Sequence, residues 1–265
     1  MENTVRILEL VGLPGSGKTT LSKLQNSRHK FNSTSILSSN QARYLAVKEL
    51  LMKSDPRYKI LRLIPKFLLS RFIFSIYKYK GLDDMLFCNS IKLNNNFYKY
   101  INSLPNEIFK DSRQQSILNK WTKELFTDYH LIKNYTPGNK IVIFDEGFMN
   151  RILSLFGYNE NKNNPKLVQD YIGFAPIPDL VHFLECKPIH AFARINERGL
   201  PQRMKCLTKE EIIAILNRCN EQINLIKYIL RKKKIIFNTT DTSLKKEDVK
   251  LAFINYLSEI DKCTK

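Results

Sequence analysis

A chain of 265 residues, 43% of them hydrophobic, is long enough to bury a full core in one domain or two. Its five cysteines form no C-x-x-C pair, which excludes a zinc or disulfide framework of that kind, and the absence of a long apolar run or signal-peptide pattern indicates a cytoplasmic protein without a spanning helix. The net charge of +18 indicates an anionic partner (nucleotide, nucleic acid or acidic membrane), although compositional bias in a Lys-, Asn- and Ile-rich chain accounts for it as well.

The first element is a strand at 5–11, followed by a glycine-rich loop and a helix that begins near Thr20. The loop matches the phosphate-binding pattern G-x-x-x-x-G-K-[ST], in which glycines let backbone N–H groups approach phosphate and the helix adds its N-terminal dipole. We expect Lys18 to contact the β- and γ-phosphates of a nucleotide and the Thr19 hydroxyl to ligate Mg²⁺. The predicted nucleotide-binding residues of this segment are Gly12, Leu13, Pro14, Gly15, Ser16, Gly17, Lys18, Thr19 and Thr20.

Four further apolar, β-branched runs follow the loop, with helix-like segments between most of them. They occupy 34–37, 140–145, 180–184 and 235–238. Strands that alternate with helices predict a mostly parallel sheet that is covered on both faces.

The stretch 41–134 contains no clear strand and is too long for a loop, so we interpret it as helices inserted between the second and third strands. An insertion at the carboxyl edge of the sheet is placed to form a lid or pocket over the nucleotide. Within it, residues 51–80 carry eight basic residues against one acid, Asp55. They are either an amphipathic segment that rests on an anionic membrane or polyanion, or, as we favour, a helix pair with solvated lysines outside.

The third strand ends in Asp145 and Glu146, followed by Gly147. A carboxylate at the tip of a buried strand is costly without a role, and we assign Asp145 to Mg²⁺. Glu146 is either a general base or the ion-pair partner of a nearby arginine. Arg151 is either a ligand of substrate phosphate or carboxylate or an ordinary surface arginine.

After the fourth strand, Pro188 and Gly199 predict the first turn and the C-terminal cap of a helix. Arg194 and Arg198 are four residues apart on one helix face, and Arg203 follows in the loop. Arginines supplied in this way neutralise charge during phosphoryl transfer, although a solvated basic helix has the same pattern. Residues 238–243, after the fifth strand, indicate a turn and helix cap whose Asn238 and Thr240 pack on an adenine ring.

In this order, the phosphate-binding loop, the acidic pair, the arginine segment and the loop from Asn238 resemble the P-loop nucleoside and nucleotide kinases, and most of all the thymidylate kinase-like group. The matching stretches are 4–30, 140–151, 180–205 and 234–256. The resemblance implies an α/β three-layer sandwich with a five-stranded parallel sheet of order 2-3-1-4-5. It also implies Mg-ATP as donor and an arginine-bearing lid. Residues 1–265 would then form a single domain, with 41–134 as its acceptor-side lid.

The chain departs from this group at two places. Thymidylate kinases carry Asp-Arg where this chain has Asp145-Glu146, and deoxynucleoside kinases carry an acid after the second strand, where this chain has 38–40 as Ser-Ser-Asn. Either Glu146 is therefore the base, or the acceptor is already a phosphate and needs none.

The sequence thus predicts an Mg-ATP-dependent phosphotransferase acting on a small-molecule acceptor such as a nucleoside, nucleotide or sugar. Catalytic roles fall to Lys18, Glu146, Arg194 and Arg198, substrate binding to Arg151 and Arg203, and metal binding to Thr19 and Asp145. Arg194, Asn238 and Thr240 are also predicted to bind the nucleotide, with the residues of the phosphate-binding loop. One alternative is an ATPase or nucleotide-driven switch in which Glu146 activates water. Another, supported by the charge, is a polynucleotide-binding protein or 5′-end kinase. A homodimer is also compatible with the sequence.

Overall fold

The computed structural model describes residues 5–23, 35–64, 66–104, 112–158 and 165–262. Five parallel strands pair in the order β2-β3-β1-β4-β5. Their bounds are β1 Val5–Gly12, β2 Ser35–Ser38, β3 Lys140–Phe144, β4 Leu180–Glu185 and β5 Phe237–Asp241. The predicted α/β fold with a five-stranded parallel sheet of order 2-3-1-4-5 is confirmed.

Eleven α-helices lie in the described part of the chain. They are α1 Lys18–Lys23, α2 Ser39–Ser54, α3 Lys66–Tyr79, α4 Leu82–Leu93, α5 Asn95–Ser103, α6 Ser112–Tyr135, α7 Phe148–Ile152, α8 Pro165–Phe174, α9 Pro188–Arg198, α10 Lys209–Lys232 and α11 Lys246–Lys262. Short 3₁₀ segments occupy Pro56–Arg62 and Gln202–Met204, and a π-helical segment, Leu153–Gly157, continues α7.

Strand side chains alternate between two cores, as the period of a β-strand requires. On β1, Ile7 and Val11 join a large cluster with α5 to α10, whereas Leu8 and Leu10 join a second cluster with α11. Both faces of the sheet are therefore covered, which gives three layers and leaves the carboxyl edge for ligands.

Helices α2 to α6 all lie between β2 and β3, where no strand was expected. A capping box begins α2, because the Ser38 hydroxyl accepts from the N–H of Gln41 and the Gln41 side chain accepts from the N–H of Ser38. Helices α2 to α4 share a separate buried cluster that includes Val47, Leu51 and Ile73. The stretch that was predicted to be an insertion thus has a partly independent core.

The fifth strand lies further along the chain than the apolar run at 235–238 predicts. Lys234 adopts a left-handed φ of 56° after α10, and Ile236 is 74% exposed in the connection to the strand. The ladder with β4 begins only at Phe237 and continues through Thr239 and Thr240 to Asp241. Apolar character alone therefore misplaced the strand, because two of its five residues are β-branched threonines.

Candidate active site

The phosphate-binding loop joins β1 to α1 and adopts a glycine-dependent conformation. Gly15 and Gly17 have φ values of 82° and 97°, in the left-handed region that favours glycine. A Cβ on Gly15 would lie 2.5 Å from the carbonyl oxygen of Ala191, so α9 can approach the loop only because that side chain is missing. The same glycine therefore shapes the loop and brings α9 to it.

Lys18 lies folded over this loop. Its Nζ donates to the carbonyl oxygens of Gly12 at 2.5 Å and Leu13 at 3.2 Å. Desolvation by burial lowers the pKa of Lys18 to about 8, and the nearby carboxylates of Glu146 and Asp145 oppose this decrease. The ammonium group is thus held among backbone oxygens and acidic side chains, and its charge is sensitive to pH just above neutrality.

The residues present fit a nucleotide with its magnesium ion. The Ser16 hydroxyl is buried inside the loop and has no hydrogen-bond partner among the described residues, so it is available to a phosphate. Thr19 is exposed at the start of α1, and Asp145 is half-buried at the end of β3. Magnesium usually takes one or two protein oxygens and completes its shell with phosphates and water, a role these two side chains can fill.

Glu146 and Arg151 form an ion pair across the start of α7. Arg151 Nη1 lies 3.3 Å from Glu146 Oε2, and the Arg151 guanidinium is centred 4.3 Å from the centroid of the Trp121 ring. The Glu146 side chain is 59% exposed. Glu146 is therefore the exposed partner of the pair, whereas the Arg151 side chain is only 19% exposed.

Arg151 also lines a small, open cleft near the end of β3, formed by α5, α6, α7, α8 and the π segment. Its lining residues are Phe97, Ile101, Leu118, Trp121, Thr122, Leu125, Phe148, Arg151, Leu155 and Tyr171. The hydroxyl of Tyr171 is already used, because it donates to the carbonyl oxygen of Phe148 at 3.1 Å. The cleft is thus mainly apolar, and Arg151 is the one cation among its lining residues.

Glu9, which the sequence analysis did not identify, lies on β1 and accepts a hydrogen bond from the backbone of α7. It is fully buried on β1, and its Oε1 accepts from the Asn150 N–H at 2.7 Å, while the Tyr129 hydroxyl donates to Oε2 at 3.4 Å. Burial raises the pKa of Glu9 to about 7, against the opposing effects of hydrogen bonds from Asn150 and Met149. The signal was present in the sequence, since Glu9 is a lone acid on the same strand face as Ile7 and Val11.

This carboxylate takes the place of an N-cap side chain. Gly147 is the N-cap of α7 and makes no side-chain cap bond, so the first N–H groups of the helix turn to Glu9. A Cβ at Gly147 would overlap the Glu9 carboxyl group. Asn150 completes the link, because its Oδ1 accepts from the N–H of Gly12 at 3.4 Å. The helix that carries Arg151 is therefore connected directly to the phosphate-binding loop.

The three predicted arginines lie in different places. The Arg194 guanidinium donates to the carbonyl oxygen of Thr242 at 2.6 Å, after β5, and so reaches the loop predicted to face a nucleotide base. Arg198 is exposed, and its charge is one of the causes that lower the pKa of Lys18, which places it near the loop. Arg203 lies over the Tyr158 ring, 3.7 Å from its centroid. Arg198 is thus the arginine that lies near Lys18, whereas Arg194 contacts Thr242 and Arg203 contacts Tyr158.

Asn238 and Thr240 lie inside β5, not in the loop after it as the sequence predicted. Thr240 is buried, with its hydroxyl 3.0 Å from Nε2 of the buried His182, and Asn238 Oδ1 accepts from the N–H of Thr239. The polar run was misassigned because threonine serves both turns and strands. The Thr240 hydroxyl therefore already has a partner on the side of the sheet that α11 covers, since the His182 ring packs edge-to-face on Phe253 of α11.

Comparison with solved structures finds deoxyadenosine kinase from M. mycoides in several liganded forms. The form with bound dCTP is 14% identical, with 96% of this chain and 99% of that chain covered and a TM-score of 0.40. The form with bound dATP is 15% identical, covering 95% and 98%, with a TM-score of 0.40. The form with dCMP and a flexible dCDP is 15% identical, covering 96% and 99%, with a TM-score of 0.41. No family model matches the chain, and no curated protein matches it either.

Proposed function

We propose that the protein is an Mg-ATP-dependent phosphotransferase that moves a phosphoryl group to a small-molecule acceptor. The observation that carries the proposal is the contact between its two halves: the phosphate-binding loop with Lys18 is joined through Asn150 to the helix that presents Arg151 to an apolar cleft. A donor site and an acceptor cleft that share one anchored helix suit a transfer between two bound molecules.

On the donor side, the loop amides and Lys18 bind the phosphates of the nucleotide, and Ser16 adds a buried hydroxyl. Thr19 and Asp145 would hold the metal ion, which supplies charge neutralisation at the transferred phosphoryl group when bound. Arg198 adds a second cation near Lys18, and the predicted catalytic role of Arg194 becomes a positioning role through Thr242.

On the acceptor side, Arg151 binds an anionic or polar group of the acceptor at the mouth of the cleft, with Trp121 supporting its guanidinium. Displacement of Arg151 from Glu146 frees the carboxylate to accept the proton of an acceptor hydroxyl. The predicted substrate role of Arg203 remains part of this proposal, as do the acceptor-side lid at 41–134 and the single-domain organisation.

The experiment that tests the proposal measures ADP release from Mg-ATP, alone and with pools of nucleosides, nucleoside monophosphates, sugars and a 5′-hydroxyl oligonucleotide. We expect release to rise with one small-molecule pool. Lys18→Ala should abolish that rise, whereas Lys23→Ala, an exposed lysine on the same helix, should leave it unchanged. Equal release with and without acceptors would assign the ATPase alternative, and a rise with the oligonucleotide alone would assign the polynucleotide one.

A further inference from the structure

An exposed apolar surface lies on the outer side of the 3₁₀ segment 56–62 and helix α3. Its members are Leu63, 83% exposed, Tyr79, 93% exposed, and the more than half-exposed Ile60 and Phe72. We name these four residues the 60–79 surface. Single exposed apolar side chains are ordinary in proteins, but a contiguous group of this size marks a site of interaction.

These four side chains share one side of the molecule. Ile60 and Leu63 are three residues apart at the end of a 3₁₀ segment, and Phe72 and Tyr79 are two turns apart on α3, so each pair lies on one stripe. The opposite sides of both segments are buried in the α2 cluster, through Leu61 in the first case and through Ile73 and Tyr77 in the second. The exposed stripes therefore both point away from α2.

A basic side chain joins the two segments. Lys80, just after α3, lies with its Nζ 3.6 Å from Asp55 Oδ2 and 4.4 Å from the centroid of the Tyr58 ring. The end of α3 that carries Tyr79 is thus adjacent to the beginning of the 3₁₀ segment. The exposed apolar side chains are thus carried by two neighbouring segments, both of which pack on α2.

Basic residues outnumber acidic ones in the segment that carries the 60–79 surface. Residues 51–80 contain eight basic residues and one acid. That acid, Asp55, is already neutralised, because Arg57 pairs with it at 2.7 Å and Lys80 at 3.6 Å. Lys59 and Lys78 are exposed and form no ion pair with a described residue, so their charges are available to an external anion.

We propose that the 60–79 surface docks the protein peripherally on an anionic lipid bilayer. Leu63 and Tyr79 enter the interfacial region, while Lys59 and Lys78 bind lipid phosphate groups, which is the chemistry of interfacial anchors. The contact is peripheral, since no helix among the described residues is long and apolar enough to span a bilayer. The proposal does not depend on the phosphotransferase activity.

Charge and side-chain type favour a lipid bilayer over two other partners, a second copy of the chain and a nucleic acid. A second copy of the chain would bring the exposed Lys59 and Lys78 against the same two lysines, and like charges at an isologous contact oppose association. A nucleic acid would use the lysines, but its backbone offers nothing to aliphatic side chains such as Ile60 and Leu63. A bilayer interface accepts both the charges and the apolar groups.

The experiment measures flotation of the full chain with vesicles of phosphatidylcholine alone or mixed with phosphatidylserine. We expect at least about tenfold stronger partitioning to the anionic vesicles, weakened by salt because exposed charges are screened. The double variant Leu63→Asp/Tyr79→Asp should lose about tenfold or more, and Lys59→Gln/Lys78→Gln should lose the preference for anionic lipid. Leu251→Asp, at a position 58% exposed on α11, is the matched control and should bind as the unaltered protein does.

Three results would overturn the proposal. One is partitioning that does not exceed the vesicle-free control. Another is an equal loss for Leu251→Asp, which would show non-specific adhesion. The third is a lack of vesicle binding together with one of two other associations. These are a dimer in sedimentation that is absent in the Leu63→Asp/Tyr79→Asp variant, and tight binding of an oligonucleotide. Circular dichroism of each variant separates loss of the surface from loss of the fold.

Discussion

The Glu9 carboxylate accepts a 2.7 Å hydrogen bond from the backbone N–H of Asn150, a residue 141 positions further along the chain. Glu9 belongs to the strand that leads into the phosphate-binding loop, and Asn150 belongs to the helix that presents Arg151. This buried bond therefore helps to fix the position of Arg151 relative to the phosphate-binding loop. This arrangement has consequences for stability as a function of pH.

Replacement of Glu9 by glutamine should change how the stability of the protein depends on pH. The pKa of Glu9 is raised from 4.5 to about 7, so between these values the folded chain holds a proton that the unfolded chain has released. The contribution of Glu9 to the free energy of unfolding is therefore fully present below pH 4.5. It decreases as the pH rises to about 7, by about 3 kcal/mol at most.

Urea unfolding at intervals from pH 4.5 to 8 tests this, with the difference between Glu9→Gln and the unaltered protein as the readout. That difference cancels other groups, such as the buried His182, whose pKa is lowered to about 4. We expect Glu9→Gln to gain relative stability as pH rises to 7. The exposed Glu210→Gln on α10 should show no such trend. A pH-independent difference for Glu9→Gln would show that Glu9 does not hold a proton in the folded state.

How far the sequence predicts this site depends on the distance between partners along the chain. The phosphate-binding loop is contiguous, so local residue types specify both its conformation and its ligand. The bonds of Glu9 to Tyr129 and Asn150 span 120 and 141 residues, and no local pattern names those partners. The position of Glu9 on a core-facing side of β1 was nonetheless visible, because an unpaired acid there is costly.

Arg194 and Thr240 show a second limit. The sequence predicted that Arg194 lies on a helix, as it does in α9, but only the packed structure shows that its guanidinium bonds to Thr242. Likewise, the residues from Asn238 onward are common in both turns and strands. They form a strand here because they pair with β4. Residue type indicates what a side chain can do, whereas tertiary pairing decides which partner it meets.

Nucleotide affinity should fall as pH rises through 8. The pKa of Lys18 is lowered to about 8 by desolvation, so the free protein loses this charge in mildly alkaline solution. We expect ATP to bind several-fold more weakly at pH 9 than at pH 7 in calorimetric titrations, because nucleotide binding above pH 8 must take up a proton. Lys23→Arg, on the exposed side of α1, should keep the same pH profile. A flat profile for the unaltered protein would contradict a protonated Lys18 as phosphate ligand.

Substitution of Gly15 by alanine should separate the loop from α9. The new Cβ would lie 2.5 Å from the Ala191 carbonyl oxygen, at a φ of 82° that disfavours alanine. We expect the free energy of unfolding to fall by about 2 kcal/mol or more and ATP affinity to fall at least about tenfold. Gly173→Ala, in α8 with no atom within 4 Å of the added carbon, is the matched control. Unaltered ATP binding by the Gly15 variant would show that the loop does not hold the phosphates.

Arg151 should govern the acceptor and leave the donor nucleotide unaffected. Its guanidinium lies at the mouth of the cleft, over Trp121 and beside Glu146, and it makes no contact with the loop itself among the bonds described. Once the acceptor class is known, we expect Arg151→Ala to lower kcat/KM for the acceptor about 10²-fold while the KM for ATP changes less than about twofold. Arg231→Ala is the control, since that arginine also lies over an aromatic ring, Phe237, but lines no part of the cleft. If Arg151→Ala raised the KM for ATP instead, the cleft would belong to the nucleotide, and the acceptor would have to bind elsewhere along the carboxyl edge of the sheet.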